Sequence, residues 1–555
     1  MKGILQTALY TLAAATVATA QLPVVPTDLK TITTPQGVNI RYKEPQICET
    51  TPGVKSYSGF IDVDDDNHLF FWFFESRRDP GNDPITLWLN GGPGGDSMNG
   101  VFEELGPCFL NEDLSTRLNP NSWNEVSNML FLSQPAGVGF SYGSKTTDPL
   151  EQIVMGGMTE VLEGRFATAD WAKTNSTESA AVTAWNAIQA FCAGLPQLAP
   201  DVRSSTFNLA TESYGGHRGT GFINHFWKQN KLIANGTITG SELNIDSLII
   251  INGLIDTRTQ AASYPRFARN NTHGVEVNDS VADYMEFSLT MDVNGCHAMI
   301  DACEAYYAVD NGTTASGRLA CSEASTACRR GSELPYVVYS GIEDVYDVRN
   351  KTEFPNPAPV TPTYLNQAKI QRALGVDTNY TTKDNLQVLA AFWATGDYIN
   401  PKIMRQFEEL LDDAPVRIAL IYGDSDFICS WYGGENVSLT ANYSGAEDFR
   451  KAGYVPLMVD GVRYGDTREY GNFSFTRVFD AGHMVPWWQP EASLAMFNRT
   501  LNGRDIATGN VKIRDGYGTV GQPESTYSQK LNRGGPSKKK RSAQNSVKFR
   551  SRLSG

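Results

Sequence analysis

Six short runs of this chain are β-rich and end in glycine or small polar residues. They are ITLWLNGG at 85–92, NMLFLSQP at 128–135, STFNLATES at 205–213, SLIIING at 247–253, VRIALIYGDSD at 416–426 and FSFTRVFDAGH at 473–483. A strand with one wet face alternates apolar and polar residues. The last three runs have the continuous apolar character of strands buried on both faces, as in a parallel sheet flanked by helices. Parallel neighbours need crossover connections, and helical patterns stand between the runs. In 176–195, Ala181, Trp185, Ile188, Phe191 and Cys192 fall on one helical face. The expected architecture is α/β, with a mostly parallel central sheet and helices on both sides.

The strand rhythm lapses over 256–398, where four clustered cysteines, several glycosylation sequons and the proline-rich PNPAPVTPTY at 355–364 occur. This segment reads as an inserted helical and loop-rich lid, because ligand crevices in such sheets open at the carboxyl ends of the strands. The expected organisation is a leader over 1–20, a core in two parts over 21–255 and 399–525, the insertion at 256–398, and a basic tail over 526–555. With 555 residues and 26 Phe, 23 Tyr and 10 Trp, the chain can bury a large core.

The N-terminus has Lys2, an apolar run over 4–17 and then Ala18-Thr19-Ala20, the small-x-small pattern at which leaders are cut. The run is shorter than the ~20 residues a membrane span needs. It reads as a signal peptide, and the protein is expected to be secreted, with the vacuole as the alternative destination. N-x-S/T sequons at Asn175, Asn235, Asn270, Asn278, Asn311, Asn350, Asn379, Asn436, Asn442, Asn472 and Asn498 fit that compartment and make N-linked glycans expected partners.

The eight cysteines contain no C-x-x-C pair, which weakens zinc and thioredoxin-like readings and favours disulfides. Cys296, Cys303, Cys321 and Cys328 form two equally spaced pairs. That spacing favours nested bridges Cys296–Cys328 and Cys303–Cys321 without fixing them. No metal and no organic cofactor is expected. The net charge is −14, although the last 26 residues carry nine cations and no acid, so the body is more acidic still. Such a body makes nucleic acid an unsuitable partner. No stretch beyond the leader approaches the length of an integral membrane span, and the C-terminus lacks the apolar tail of a lipid-anchor signal.

Ser213 in TESYGG, Asp426 in YGDSDF and His483 in DAGHMVP each follow a different strand-like run. A nucleophilic serine needs a base to accept its proton and a carboxylate to orient that base. Their chain order, Ser then Asp then His, is that of an α/β-hydrolase. Only six histidines exist, and only His483 follows a buried-type strand near the C-terminal end. Asp424 competes with Asp426 for the orienting role; Asp426 lies further from the strand end and is preferred, with Asp424 read as loop structure. The serine motif departs from G-x-S-x-G at Thr211, which predicts looser packing at the turn. The glycine-rich LWLNGGPGGDSMNG at 87–100 can aim backbone N–H groups at a developing oxyanion. A phosphate cradle is the rival, but it would need a G-K-S/T that is missing.

With WLNGGPG at 88–94, EELGPC at 103–108, QPAGVGFSYG at 134–143, TESYGGH at 211–217, YGDSDFICSW at 422–431 and AGHMVPWWQP at 481–490, the chain resembles the serine carboxypeptidases, and in particular their secreted fungal branch. The resemblance implies an α/β-hydrolase fold and release of C-terminal amino acids from peptides and proteins by acyl transfer through Ser213, Asp426 and His483. It implies an oxyanion hole from the N–H groups of Gly92 and Tyr214, and a site for the substrate's terminal carboxylate formed by Asn90, Gly91, Glu104 and Glu212. Cys429 and Met484 would border the substrate pocket. Two glutamates can bind a carboxylate only if they share a proton, so activity is expected to favour acid pH.

An acyltransferase or esterase on the same scaffold, or a non-catalytic glycoprotein of the same fold, are the competing readings. Gly95, Asp96 and Ser97 replace the family's usual Cys-Ser-Ser or Ser-Ser-Ser, and Arg218 replaces a usual tyrosine. An ionised Asp96 would oppose an anionic C-terminus unless Arg218 offset it. Glu103 stands where many relatives carry an apolar residue facing the leaving amino acid.

Overall fold

A computed structural model of the protein describes residues 22–154, 158–349, 351–381 and 384–529; the leader, Asn350 and the tail from residue 530 lie outside the described residues. Twelve strands form one sheet. In chain order they are β1 (Lys30–Thr33), β2 (Asn39–Lys43), β3 (Ser56–Asp64), β4 (Asn67–Phe74), β5 (Ile85–Leu89), β6 (Asn128–Leu132), β7 (Thr206–Glu212), β8 (Asn244–Ile251), β9 (Arg417–Gly423), β10 (Val455–Val459), β11 (Val462–Tyr470) and β12 (Phe473–Val478). Their spatial order is β1-β2-β3-β4-β6-β5-β7-β8-β9-β12-β11-β10.

The six runs singled out in the sequence are β6, β5, β7, β8, β9 and β12, and every pairing among them is parallel. Their burial on both faces follows from the pleat. Leu87, Leu209, Ile250 and Leu420 point into one buried cluster, while Trp88, Ala210, Ile251 and Ile421 point into another on the opposite face. The flanks differ from the expected parallel pattern. β1 to β4 and β10 to β12 are antiparallel hairpin-connected strands, so the whole sheet is mixed. Short turns such as the one between Asp64 and Asn67 allow only antiparallel return.

Helix α1 (Thr177–Leu198) starts at Ser176, whose side chain accepts from Ser179 N while the Ser179 hydroxyl returns to the Ser176 N–H. It buries Ile188 and Phe191 against the sheet beside Phe222 and Phe226 of α2 (Gly215–Ala234). Fully burying side chains of this size stabilises by roughly 1.5–3 kcal/mol each, so this layer is a principal source of fold stability.

Between β8 and β9 the chain is helical, from Thr257–Ala261 through Leu386–Thr395 and on to Lys402–Asp413. Cys296–Cys328 and Cys303–Cys321 are bonded and tie the helix Cys296–Asp310 to Ala315–Cys328. A third bridge, Cys48–Cys108, had no spacing signal in the sequence. Cys192 and Cys429 are free.

Among the sequon asparagines, Asn235, Asn270, Asn278, Asn311, Asn442 and Asn472 are exposed, and Asn175, Asn436 and Asn498 are half-buried. Asn379 is largely buried, and its Oδ1 accepts the Arg165 N–H at 2.9 Å. Through this bond and the one from Asn379 N to Arg165 O it holds a loop in place.

Candidate active site

The expected site residues gather at the carboxyl ends of the parallel strands. β7 ends at Glu212, and Ser213 then takes φ 63°, a left-handed conformation that a serine adopts only where its surroundings enforce it. Ser213 N donates to Ile251 O at 3.0 Å, while Ser213 O accepts from Gly216 N and Leu254 N, both at 2.9 Å. These bonds pin a strand–turn–helix corner that lifts the serine side chain off the sheet.

Thr211 is accommodated differently from the looser packing expected. A Cβ on Gly215 would lie 2.5 Å from Thr211 Cβ, and one on Gly219 would lie 2.9 Å from Thr211 Oγ1. The crowding is therefore relieved on the helix side, and Thr211 Oγ1 donates to Gly215 O at 2.9 Å. The packing is tight.

His483 follows β12 and Asp426 follows β9. His483 Nδ1 is 2.6 Å from Asp426 Oδ2, and both residues are buried. Asn252, at the end of β8 with φ 41°, donates from Nδ2 to the same Asp426 oxygen at 2.8 Å and accepts Gly423 N on Oδ1 at 3.0 Å. Desolvation pushes the Asp426 carboxyl up, opposed by the imidazole contact. Asp424 turns the other way, towards Arg477 at 3.6 Å and His273 at 3.5 Å.

The segment between β8 and β9 reaches this spot. Tyr346 O accepts His483 N at 2.8 Å, the Tyr346 ring lies 4.9 Å from the imidazole, and Val345 O accepts Phe427 N. Arg349, ion-paired to Asp347, donates to Asp480 O at 2.8 Å. Neither Asn252 nor the 345–349 strap was singled out in the sequence. The N-G pair after SLIII was the only local signal for the first, and the strap carried none.

Cys429 is buried and its thiol is pushed up by desolvation, with Ser213 acting as a hydrogen-bond partner. Its sulfur lies within 4.8 Å of ligand atoms of both Asp426 and His483. The serine, thiol, imidazole and carboxylate therefore occupy one small volume. Met484 follows His483 directly and is half-buried. Glu103 is buried and accepts from Thr361 Oγ1 at 2.6 Å.

The glycine-rich loop after β5 packs onto the serine corner. A Cβ on Gly91 would sit 2.5 Å from Ser213 Cβ and 2.6 Å from Tyr214 N, so only glycine permits the approach. Gly92 has φ 106°, and its carbonyl accepts from Tyr398 OH at 2.8 Å. Among the described residues, the N–H groups of Gly91, Gly92 and Tyr214 have no acceptor.

Beside them, Trp88 Nε1 donates to Asn90 Oδ1 at 2.7 Å, and Asn90 Nδ2 donates to Glu104 Oε1 at 2.8 Å. Glu104 and Glu212 are both buried, each with an Oε2 that has no partner beyond the facing carboxyl. Desolvation raises both carboxyls. The charge of Glu104 adds to the rise at Glu212, which stands well above the ordinary value. Glu212 Oε1 lies 3.5 Å from His483 Nε2.

Asp96 and Arg218 do not offset each other as expected. Asp96 is turned into the interior, where Ser133 Oγ at 2.5 Å and Tyr380 OH at 2.7 Å donate to it, and desolvation raises its carboxyl. Arg218 donates instead to the carbonyls of Asn90 and Gly91. The side chain at 96 is a buried hydrogen-bond hub, so it presents no carboxylate to substrate.

A strained serine at a strand–helix corner, with an acid–imidazole pair from later strand ends of a central parallel sheet, defines an α/β-hydrolase. A family model described as serine carboxypeptidase matches residues 45–503, and the chain belongs to that family. It is 40% identical over 532 residues to carboxypeptidase S1 homolog B of Arthroderma otae, covering 88% of this chain and 80% of that protein. It is 35% identical over 467 residues to carboxypeptidase S1 of Penicillium janthinellum, covering 84% and 99%. The crystal structure of Kex1(Δ)p, a prohormone-processing carboxypeptidase from Saccharomyces cerevisiae, superposes with a TM-score of 0.57 at 21% identity, covering 81% of this chain and 91% of that one. That likeness carries the fold. The protein is a serine-type peptidase of the carboxypeptidase class.

Proposed function

We propose that Ser213, His483 and Asp426 release single amino acids from the C-termini of peptides and proteins, and that the Glu104–Glu212 pair makes the enzyme an exopeptidase. His483 Nε2 takes the Ser213 proton as Oγ bonds to the scissile carbonyl carbon, and Asp426 stabilises the imidazolium. The oxyanion is met by the free N–H groups of Gly92 and Tyr214. The C–N bond then breaks, the leaving amino acid takes the proton from His483, and water hydrolyses the acyl-enzyme by the same route in reverse.

The observation that carries the exopeptidase reading is the buried carboxyl pair beside the serine, with Asn90 and the Gly91 N–H on its rim. Two ionised glutamates would repel a terminal carboxylate. A pair that retains one proton can donate a hydrogen bond to it. The raised carboxyls of Glu104 and Glu212 support retention of that proton in mildly acid solution. Binding should therefore weaken as pH rises through the upper titration of the pair.

The test is kcat and KM on a blocked dipeptide across pH. KM is expected to rise towards neutrality with little change in kcat, and a flat KM would contradict the role of the pair. The leader pattern, the exposed sequons and the three disulfides support an oxidising, secretory location. Among the described residues no helix is long and apolar enough to cross a membrane.

A further inference from the structure

Arg218 occupies a place that electrostatics disfavours. It sits in the first turn of α2, at the positive end of the helix dipole, fully buried, and its Nε and Nη2 have no protein acceptor. Among the described residues no carboxylate forms an ion pair with it. Desolvation lowers its guanidinium to about 10, with Tyr214, Tyr398 and Asp397 opposing that fall, so it stays cationic in acid and neutral solution. Its hydrogen bonds go from Nη1 to Asn90 O at 3.0 Å and to Gly91 O at 3.4 Å, while Phe392 lies 5.9 Å away under the guanidinium.

The identity of those two carbonyls matters. Asn90 O belongs to the peptide unit whose N–H is that of Gly91, and Gly91 O to the unit whose N–H is that of Gly92. These are two of the N–H groups left without an acceptor beside Ser213. A cation bonded to a peptide oxygen draws charge from the unit and makes its N–H a stronger donor, and the low dielectric of the interior preserves the effect.

We propose that Arg218 is a positioning residue that clamps and polarises the Asn90–Gly91 and Gly91–Gly92 peptides from behind, strengthening the N–H donors offered to the substrate's terminal carboxylate and to the oxyanion. This rests on the carboxypeptidase reading above. It explains how a buried, unpaired cation is used: its field acts through two peptide units on charge that develops outside the protein interior, with no contact to substrate.

The experiment compares wild type with Arg218→Gln and Arg218→Lys. It measures kcat and KM on a blocked dipeptide, and the affinity of a peptide aldehyde whose hemiacetal with Ser213 bears the oxyanion. Wild-type turnover establishes the functional reading beforehand, so the variant results bear on Arg218 alone. Loss of one oxyanion donor costs roughly 10²–10³-fold, and weakening a donor costs less. Arg218→Gln is expected to lower kcat about 30-fold and raise KM several-fold. Arg218→Lys retains the charge but reaches one carbonyl, and should lose about three- to tenfold. In both, aldehyde affinity should fall by the factor lost in kcat/KM. If Arg218→Gln does not fold, the lysine variant decides by the same criterion. Either folded variant within twofold of wild type, or a loss of kcat/KM with aldehyde affinity unchanged, would overturn the proposal.

Discussion

Gly91 and Ser213 pack so closely that a single methyl on the glycine would lie 2.5 Å from the serine Cβ. The glycine-rich loop and the serine corner therefore pack as one unit, although 121 residues of chain separate them. Gly91→Ala must push the loop away from the corner. A displacement of that order costs roughly 10²-fold in rate, and kcat of the folded variant should fall accordingly while Ser213 remains open to phosphonylation. Unchanged kcat would mean that the loop is not part of the site.

The serine and the imidazole should act as a unit. Ser213→Ala and His483→Ala are each expected to lower kcat by roughly 10⁶, with the double variant no worse than either. Losses that multiplied in the double variant would show independent roles and contradict the assignment.

Asn252 supports the acid. Its amide donates 2.8 Å from Nδ2 to the Asp426 oxygen that faces His483. Asn252→Gly keeps the backbone freedom needed at φ 41° and removes the amide. A hydrogen bond to a charged group contributes about 1.5–3 kcal/mol, so kcat should fall about 10–100-fold with little change in KM. A change in KM alone would place Asn252 in substrate binding.

The glutamate pair also has a signature in stability. Glu212 binds its proton more tightly when folded than when unfolded. The folded state therefore holds more protons once pH exceeds the ordinary carboxyl value of 4.5, and stability falls as pH rises from there through the folded value. The stability contribution is complete below 4.5. Glu212→Gln should flatten both this loss, read as Tm against pH, and the rise in KM. A variant that kept the wild-type slope in both would remove Glu212 from the account.

How far the sequence reached can be traced residue by residue. The central strands were legible because burial on both faces left β5, β6, β8 and β9 rich in apolar residues, and the strand ends marked where Ser213, Asp426 and His483 stand. The antiparallel flanks were not, since β3 carries a mixed pattern and β4, although apolar over 69–74, leads to no site motif. Asn252 and the strap at 345–349 were missed for a similar reason: their work is to orient other residues, and that depends on contacts across 174 and 137 positions of chain. Asp96 and Arg218 were noticed as departures but wrongly paired, because sequence gives the charges and not the direction in which they point.

The most direct test of the central claim is mass spectrometry of one peptide in two forms, with a free and an amidated C-terminus, incubated with the protein in mildly acid solution. Stepwise loss of single residues from the free acid, with the amide cut far more slowly, is the expected result. Equal cleavage of both forms, or cuts confined to internal bonds, would contradict it.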